Sequence, residues 1–272
     1  YKSACIGSYQ TQINNDILFF EFIEHEKQQK EKKEYKSQLI NWKNILQSQN
    51  YLINFKESHG NDLVGGYTER SIPKNIIEKI RAFVKEHGIT FFVFYLSNLK
   101  MCLYLLYKQE LFAVGINISK RNNSRWSNMI GPLSEQFLSI VDFKKIINFE
   151  DLIKHTISNI NNILHTFVTI ENIYRQIIFG PGKANDLFNV LFDYEKTNQF
   201  YQNDNFNIIP LSIKSTSEVR RHLSVRIADN NEEVILKVRY RESIFTAMEI
   251  DTFINNFIET AEKLIGMSEL AI

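Results

Sequence analysis

Residues 91–119, FFVFYLSNLKMCLYLLYKQELFAVGINIS, contain the pattern that decides the fold. Their first part, Phe91–Tyr107, is apolar on all sides apart from three polar residues, which is typical of a helix buried in a protein core rather than of a membrane span. Thr90 can cap the start of this helix, which is expected to run to about Lys108. Leu111–Ser119 alternates and is rich in β-forming residues, so it predicts a strand.

The chain ahead of this stretch divides into a charged helix, an irregular segment and an amphipathic helix. Apolar residues recur at helical spacing across Ile17–Leu46, and the mixed-charge run Glu24–Lys36 favours a solvated face, with a partner-binding surface as the alternative. Asn50–Arg70 is polar and contains glycines, which indicates irregular or short-stranded structure. A second helix is expected from Ser71, with a proline in its first turn, up to a capping Gly88.

Strands and helices alternate in the rest of the chain. The expected strands are Phe137–Phe143, Leu187–Tyr194, Asn207–Ile213, His222–Ile227 and Glu233–Tyr240. The expected helices are Phe149–His165, Val168–Ile178 and Phe245–Ile265. Asp229–Asn231 has the composition of a hairpin turn. This order predicts an α/β fold around one sheet, with a helical arm at 1–50 leading into a lobe at 51–272.

Composition narrows the class of protein. The formal net charge is +1, which argues weakly against binding of nucleic acid or of an anionic membrane. Cys5 and Cys102 are far apart and form no Cys-x-x-Cys pair, so neither a zinc site nor a secreted disulfide scaffold is expected, and a cytoplasmic location fits better. No secretory signal opens the chain. Because the first residue is Tyr1 rather than Met, we expect a piece of a longer protein.

Motifs of self-sufficient catalytic sites do not occur in the sequence. It has no Gly-x-Ser-x-Gly elbow, no phosphate-binding Gly-x-x-x-x-Gly-Lys and no His-Glu-x-x-His. The six histidines stand apart from one another, and no carboxylate pair is singled out by its spacing. The residues by themselves therefore indicate an α/β domain without a visible catalytic centre.

Several segments, taken in order, resemble the later motifs of nonribosomal peptide synthetase condensation domains. The resemblance begins with Phe19–Phe22 followed by two glutamates, and continues with Trp42 and with Ile89–Val93. Val114–Ile116, followed by Arg121, resembles the Val-Gly … Arg motif of the family. Ile130–Leu133 resembles Ile-Gly-x-Phe; His165 and Glu171 occupy the ends of His-x-Asp-x-Pro-Phe-Glu; and Asn185–Phe188 resembles Asn-Pro-Leu-Phe.

The sequence also departs from the family pattern. Glu135 and Gln136 stand where the family has Asn-Thr, and Ile140 stands where an arginine is usual. Phe167 and Thr169 replace the Asp and Pro of the histidine motif. The family's His-His-x-x-x-Asp-Gly motif, which belongs to the N-terminal lobe, does not occur in these residues. The chain by itself is therefore expected to be inactive, with no catalytic residue and no metal.

The resemblance implies a fold, a site and partners. The fold is a chloramphenicol acetyltransferase-like lobe, a mixed β-sheet flanked by helices. The implied substrates are aminoacyl or peptidyl thioesters on the phosphopantetheine arms of carrier proteins, which enter a tunnel between two lobes and are joined through an amide bond. The segment expected at this tunnel consists of Gly131, Pro132, Ser134, Glu135 and Gln136. Arg121, His165, Glu171 and Asn185 are motif positions for which we expect structural roles.

Further partners follow from the same resemblance. They are the N-terminal lobe and an adjacent adenylation domain, with no nucleic acid and no membrane. Two alternatives remain open. The chain could belong to a non-catalytic module of this fold that recruits carrier proteins or tailoring enzymes, or to a relative that uses coenzyme A.

Overall fold

A computed structural model describes most of the chain, namely residues 14–56, 63–122, 125–127, 129, 131–165, 168–175, 187–196 and 219–266. The helices are α1 (Asn14–Glu31), α2 (Lys33–Ser48), α3 (Lys74–Glu86), α4 (Phe91–Tyr107), α5 (Phe149–Leu164), the short α6 (Ile170–Ile173) and α7 (Ala247–Gly266). The strands are β1 (Gly65–Ser71), β2 (Leu111–Ser119), β3 (Ser134–Asp142), β4 (Val190–Lys196), β5 (Leu223–Asp229) and β6 (Val234–Arg241).

The six strands form one mixed sheet in the order β1-β6-β5-β4-β2-β3. β1 and β5 pair with β6 in antiparallel fashion, whereas β4 pairs in parallel with both β5 and β2. The register sets Val190 opposite Val114 on one side and opposite Leu223 on the other. All three side chains are buried, so the centre of the sheet has an apolar core.

Contacts divide the chain into two compact units, each assembled from distant parts of the sequence. The arm unit contains Tyr1–Ser48, Asn117–Phe137 and Thr166–Lys183. The sheet unit contains Gln49–Ile116, Leu138–His165 and Ala184–Ile272. The boundary between an arm at 1–50 and a lobe at 51–272 stays a prediction.

The α4 helix is deeply buried in the sheet unit. The Thr90 side chain accepts a hydrogen bond from the Val93 N–H at 3.2 Å, and Lys108 ends the helix in the left-handed region with φ of 51°. Every residue from Val93 to Leu103 is buried, so α4 has no polar face. It packs against α3, α5 and α7, and the Asn98 side-chain amide donates to the Phe257 carbonyl of α7 at 3.0 Å.

Among the described residues, no single helix has both the length and the apolar character of a membrane span. The pair α3 and α4 reaches both only in combination, and its members are bent by 114° relative to each other.

The capping glycine of α3 was predicted correctly, whereas two of the predicted helices differ from the structure. Gly88 follows His87, the C-cap residue of α3, and has φ of 61°, as expected of a capping glycine. Ser71 does not start a helix but ends β1, because it pairs with Ile235 of β6. The predicted helix Ile17–Leu46 is two helices, since the Lys32 N–H bonds to the Gln29 carbonyl three residues back and interrupts the α-helical pattern. The predicted strand Asn207–Ile213 lies outside the described residues.

The Val114–Ile116 motif has a steric reason. A Cβ atom added to Gly115 would lie 2.1 Å from the Cε2 atom of Phe188, so only glycine allows this ring to lie on β2. Phe188 is fully buried, and the Arg221 guanidinium lies 3.7 Å from the centre of its ring. Gly115 and Phe188, which belong to two motifs far apart in the sequence, thus form a single contact within the sheet unit.

We expect Gly115→Ala to destabilise the protein by about 1–3 kcal/mol, because the added methyl group overpacks the core. The cost should fall in a Phe188→Leu background, where the ring is absent. Chemical denaturation of the four proteins of this double-mutant cycle measures the coupling.

Gly266→Ala is the matched control, since a Cβ atom at Gly266 would meet no atom within 4 Å. Equal costs for the two glycine substitutions, or a Gly115→Ala cost that is independent of Phe188, would show that the contact does not require glycine.

Candidate functional site

The segment from Gly131 to Gln136 comprises the end of the loop before β3 and the first three residues of that strand, and backbone hydrogen bonds hold it within the arm unit. The Lys120 N–H donates to the Leu133 carbonyl at 2.7 Å, and the Leu133 N–H donates to the Gly131 carbonyl at 3.0 Å. Leu133 is buried, Pro132 and Ser134 are exposed, and Gly131, Glu135 and Gln136 are partly buried. The segment therefore has one anchored residue and several that solvent or a ligand can reach.

Arg121 fixes the turn that precedes this segment. Its guanidinium donates to the carbonyls of Met129 at 3.3 Å and Gly131 at 3.0 Å. These carbonyls belong to irregular backbone, where a forked donor with several N–H groups can satisfy two acceptors at once. The Arg121 side chain therefore holds this loop by bonding to two of its backbone carbonyls.

An apolar cluster joins α1 to the same loop. Phe22 of α1 packs with Trp126, Met129 and Leu133, and Phe19 lies against this cluster. The Phe22 and Trp126 rings meet edge to face with centroids 5.5 Å apart. Because a Cβ atom at position 131 would lie 3.0 Å from the Phe19 ring, Gly131 allows the loop to approach the helix closely. The aromatic motif of α1 thus supports the candidate segment.

Charged residues surround this cluster. Lys120 forms an ion pair with Glu26 of α1 and a longer one, of 3.5 Å, with Glu135. The side chains of these three residues are about one quarter exposed, at 25–27%. Two carboxylates therefore share one ammonium group, which leaves a formal excess of one negative charge beside the start of β3. Arg125 pairs with Glu21 at 2.8 Å and lies 4.8 Å from the Trp126 ring centre.

The sequence did not single out Lys120, Arg125 or Trp126. Lys120 and Glu26 are 94 positions apart, and nothing in the local pattern connects them. A usable signal was available for Trp126, since the chain has only two tryptophans and this one lies in an otherwise polar loop. The arm unit contains both Trp42 and Trp126, so tryptophan fluorescence reports on this unit alone.

The remaining motif residues do not belong to this segment. His165 ends α5, where its N–H bonds to the Asn161 carbonyl at 3.2 Å. Glu171 forms an exposed ion pair with Arg175 at 2.6 Å. Thr169, which replaces the proline of the family motif, forms a capping box with Asn172 at the start of α6. Asn185 lies outside the described residues.

Side-chain clusters suited to a metal ion do not occur within the described ranges, where no group of three or more His, Cys, Asp or Glu side chains could hold one.

The fold of this chain resembles that of solved condensation and epimerization domains. The condensation domain from the monacolin K polyketide synthase MokA superimposes with a TM-score of 0.75 at 14% identity, over 92% of this chain and 62% of that one. The six-stranded mixed sheet flanked by helices matches this fold, so the predicted fold class is confirmed.

The family follows from the sequence match. The model of the condensation domain matches residues 3–271, and the chain therefore belongs to the condensation-domain family, as its motifs predicted. Cyclosporin synthetase simA of Tolypocladium inflatum is 22% identical over 72% of this chain, and a linear gramicidin synthase of Brevibacillus parabrevis is 20% identical over 76%. The chain spans 1% and 3% of the lengths of these synthetases.

We expect Lys120→Met to lower the stability of the arm unit by about 1 kcal/mol, because the substitution leaves Glu26 and Glu135 without their shared cation. Urea unfolding followed by tryptophan fluorescence measures this effect. Adding Glu26→Gln should remove more of the loss than adding Glu135→Gln, since the ion pair with Glu26 is the shorter one.

Lys27→Met is the matched control. Lys27 pairs with Glu24 at 2.6 Å, but both side chains are more than 60% exposed, so little change is expected. The same loss in both lysine variants would mean that Lys120 does not act through its two carboxylates.

Proposed function

We propose that this chain is the C-terminal part of a condensation domain of a nonribosomal peptide synthetase. In the proposed reaction the amino group of an aminoacyl thioester on one carrier protein attacks the carbonyl carbon of the aminoacyl or peptidyl thioester on another carrier protein. The new C–N bond forms, the C–S bond breaks, and the phosphopantetheine thiol leaves as the amine gives up a proton. Carrier-protein domains in the cytoplasm, with an adjacent adenylation domain, are the proposed partners.

One observation carries the proposal: the condensation-domain match covers residues 3–271. The amine must lose a proton and both thioesters must be held at attack distance, so a base or hydrogen-bond acceptor has to be positioned in the channel. No adjacent pair of histidines occurs in the printed sequence. We therefore assign the proton-handling group to residues outside this chain and give this chain the role of the opposite channel wall.

Within this wall we assign the substrate-facing role to the segment from Gly131 to Gln136. Leu133 anchors the segment in the apolar cluster, while Ser134 and Glu135 keep exposed surface. Glu135 introduces a carboxylate, which only accepts hydrogen bonds, where the family has an amide that also donates. Lys120 holds this carboxylate in place. Such an edge favours a substrate with a hydrogen-bond donor, such as the amino group of an acceptor amino acid.

The isolated chain is expected to give no amide product, whereas a condensation domain that joins this chain to an N-terminal lobe with His-His-x-x-x-Asp-Gly should be active. Carrier proteins loaded with aminoacyl thioesters serve as substrates, and mass spectrometry of the carrier-bound product measures turnover. Turnover by the isolated chain would contradict the proposal. Binding of carrier proteins by a joined domain that never forms product would instead support the recruiting module.

In the active two-lobed domain, Glu135→Asn is expected to lower kcat/KM for the acceptor substrate by about tenfold, the equivalent of one charge-assisted hydrogen bond. Steady-state kinetics with a fixed, saturating donor measures this change. Glu259→Gln is the control, because Glu259 pairs with Lys263 on an exposed face of α7. Unchanged kinetics in Glu135→Asn would contradict the assignment of this segment to the substrate channel.

A further inference from the structure

A lysine side chain is enclosed in the core of the sheet unit, and the proposed reaction has no use for it. Lys100 lies in the middle of α4 and is 0% exposed. Its Nζ atom donates to the Thr156 hydroxyl of α5 at 3.3 Å. No carboxylate pairs with it among the described residues, and burial lowers the pKa of Lys100 to about 7. Buried lysines are normally paired with an acid, so this one has an unusual environment.

The polar groups around Lys100 do not compensate a positive charge. His155 precedes Thr156 on α5, and its pKa is lowered by burial first and by Lys100 second. Asp142, the last residue of β3, opposes this shift, and Lys145 in the turn that follows the strand adds to it. The Nδ1 atom of His155 has no hydrogen-bond partner within the described ranges.

The other side of α4 offers no countercharge either. There α4 faces α7, where Asn98 donates to the Phe257 carbonyl. Cys102 interacts with Thr260 of α7, and burial raises the pKa of its thiol to about 12, so it is neutral at physiological pH. The titratable group that interacts with Lys100 is therefore His155 on α5, and Asp142 and Lys145 in turn interact with His155.

We propose that the contact between α4 and α5 is a proton-sensitive element, in which Lys100 is uncharged while the helices are packed and takes up a proton when they separate. An exposed lysine titrates near 10.5, whereas the packed form holds the neutral amine down to about pH 7. Between these values the open state binds a proton that the packed state does not. Packing is therefore strongest above pH 10.5 and weakens as the pH falls towards 7.

This linkage makes the opening equilibrium of the sheet unit depend on pH. One proton taken up on opening raises the opening equilibrium constant roughly tenfold for each pH unit of acidification. Below the pKa of the packed form the dependence on Lys100 vanishes, because both states are then protonated. Protonation of His155, whose pKa is also lowered, acts in the same direction at lower pH. The response is centred on the contact between α4 and α5, where Lys100 donates to Thr156.

Native-state hydrogen exchange on the full chain tests the proposal. Peptides from α4 and α5 are followed from about pH 9.5 to about pH 7.5, with rates corrected for intrinsic exchange. The opening constant of the wild type should rise close to a hundredfold over this range, which is two tenfold steps. Lys100→Met, which keeps the length of the side chain, should remove the dependence. Lys79→Met, at an exposed ion pair on α3, should keep it.

A flat pH profile in the wild type, or the same slope in Lys100→Met, would overturn the proposal. Because a core substitution can prevent folding, the wild type provides an independent measurement. NMR titration of the Lys100 side chain should give a midpoint below about 9, and a midpoint at or above this value would mean that the packed helices hold an ordinary ammonium group.

Discussion

The absence of a polar face on α4 is the constraint on which the sheet unit depends. A helix whose residues Val93–Leu103 are all buried cannot lie on a surface, so other elements must cover it on every side. The helices α3, α5 and α7 provide this cover, and the chain enters the sheet after only three residues, at Leu111. Layers of helices packed on a sheet meet this requirement.

The same constraint explains why the environment of Lys100 is unusual. A flexible surface lysine can be placed almost anywhere, whereas a lysine inside this helix loses its hydration and has one hydroxyl partner in return. The contact between Phe188 and Gly115 is a second tightly constrained position of the core, since it allows only glycine at position 115. At each of these two places the packing of secondary-structure elements depends on a single side chain, that of Lys100 or that of Phe188.

The sequence predicted those features of the fold that depend on local chemistry. Thr90, Gly88 and the turn at Asp229–Asn231 act through their own backbone and were identified correctly, with Asn231 at φ of 72°. Ser71 was wrong because its strand is fixed by β6, far along the chain. Periodicity within one segment contains no information on such a distant pairing.

The candidate site was only partly predictable for the same reason. The family motif identified the segment from Gly131 to Gln136, and Glu135 was distinguished by its departure from the motif. What supports the segment is long-range: Phe22 and Glu26 on α1 contact Trp126 and Lys120 about a hundred positions later. Neither charge runs nor single aromatic residues reveal which partners they will meet after folding.

A crystal structure of a two-lobed condensation domain containing this chain, bound to a phosphopantetheine thioester analogue with an acceptor amine, tests the central claim most directly. We predict that the reactive end of the analogue lies between the two lobes, with its amine within hydrogen-bond distance of the Glu135 carboxylate. An analogue bound elsewhere, with the segment from Gly131 to Gln136 facing solvent, would contradict this claim.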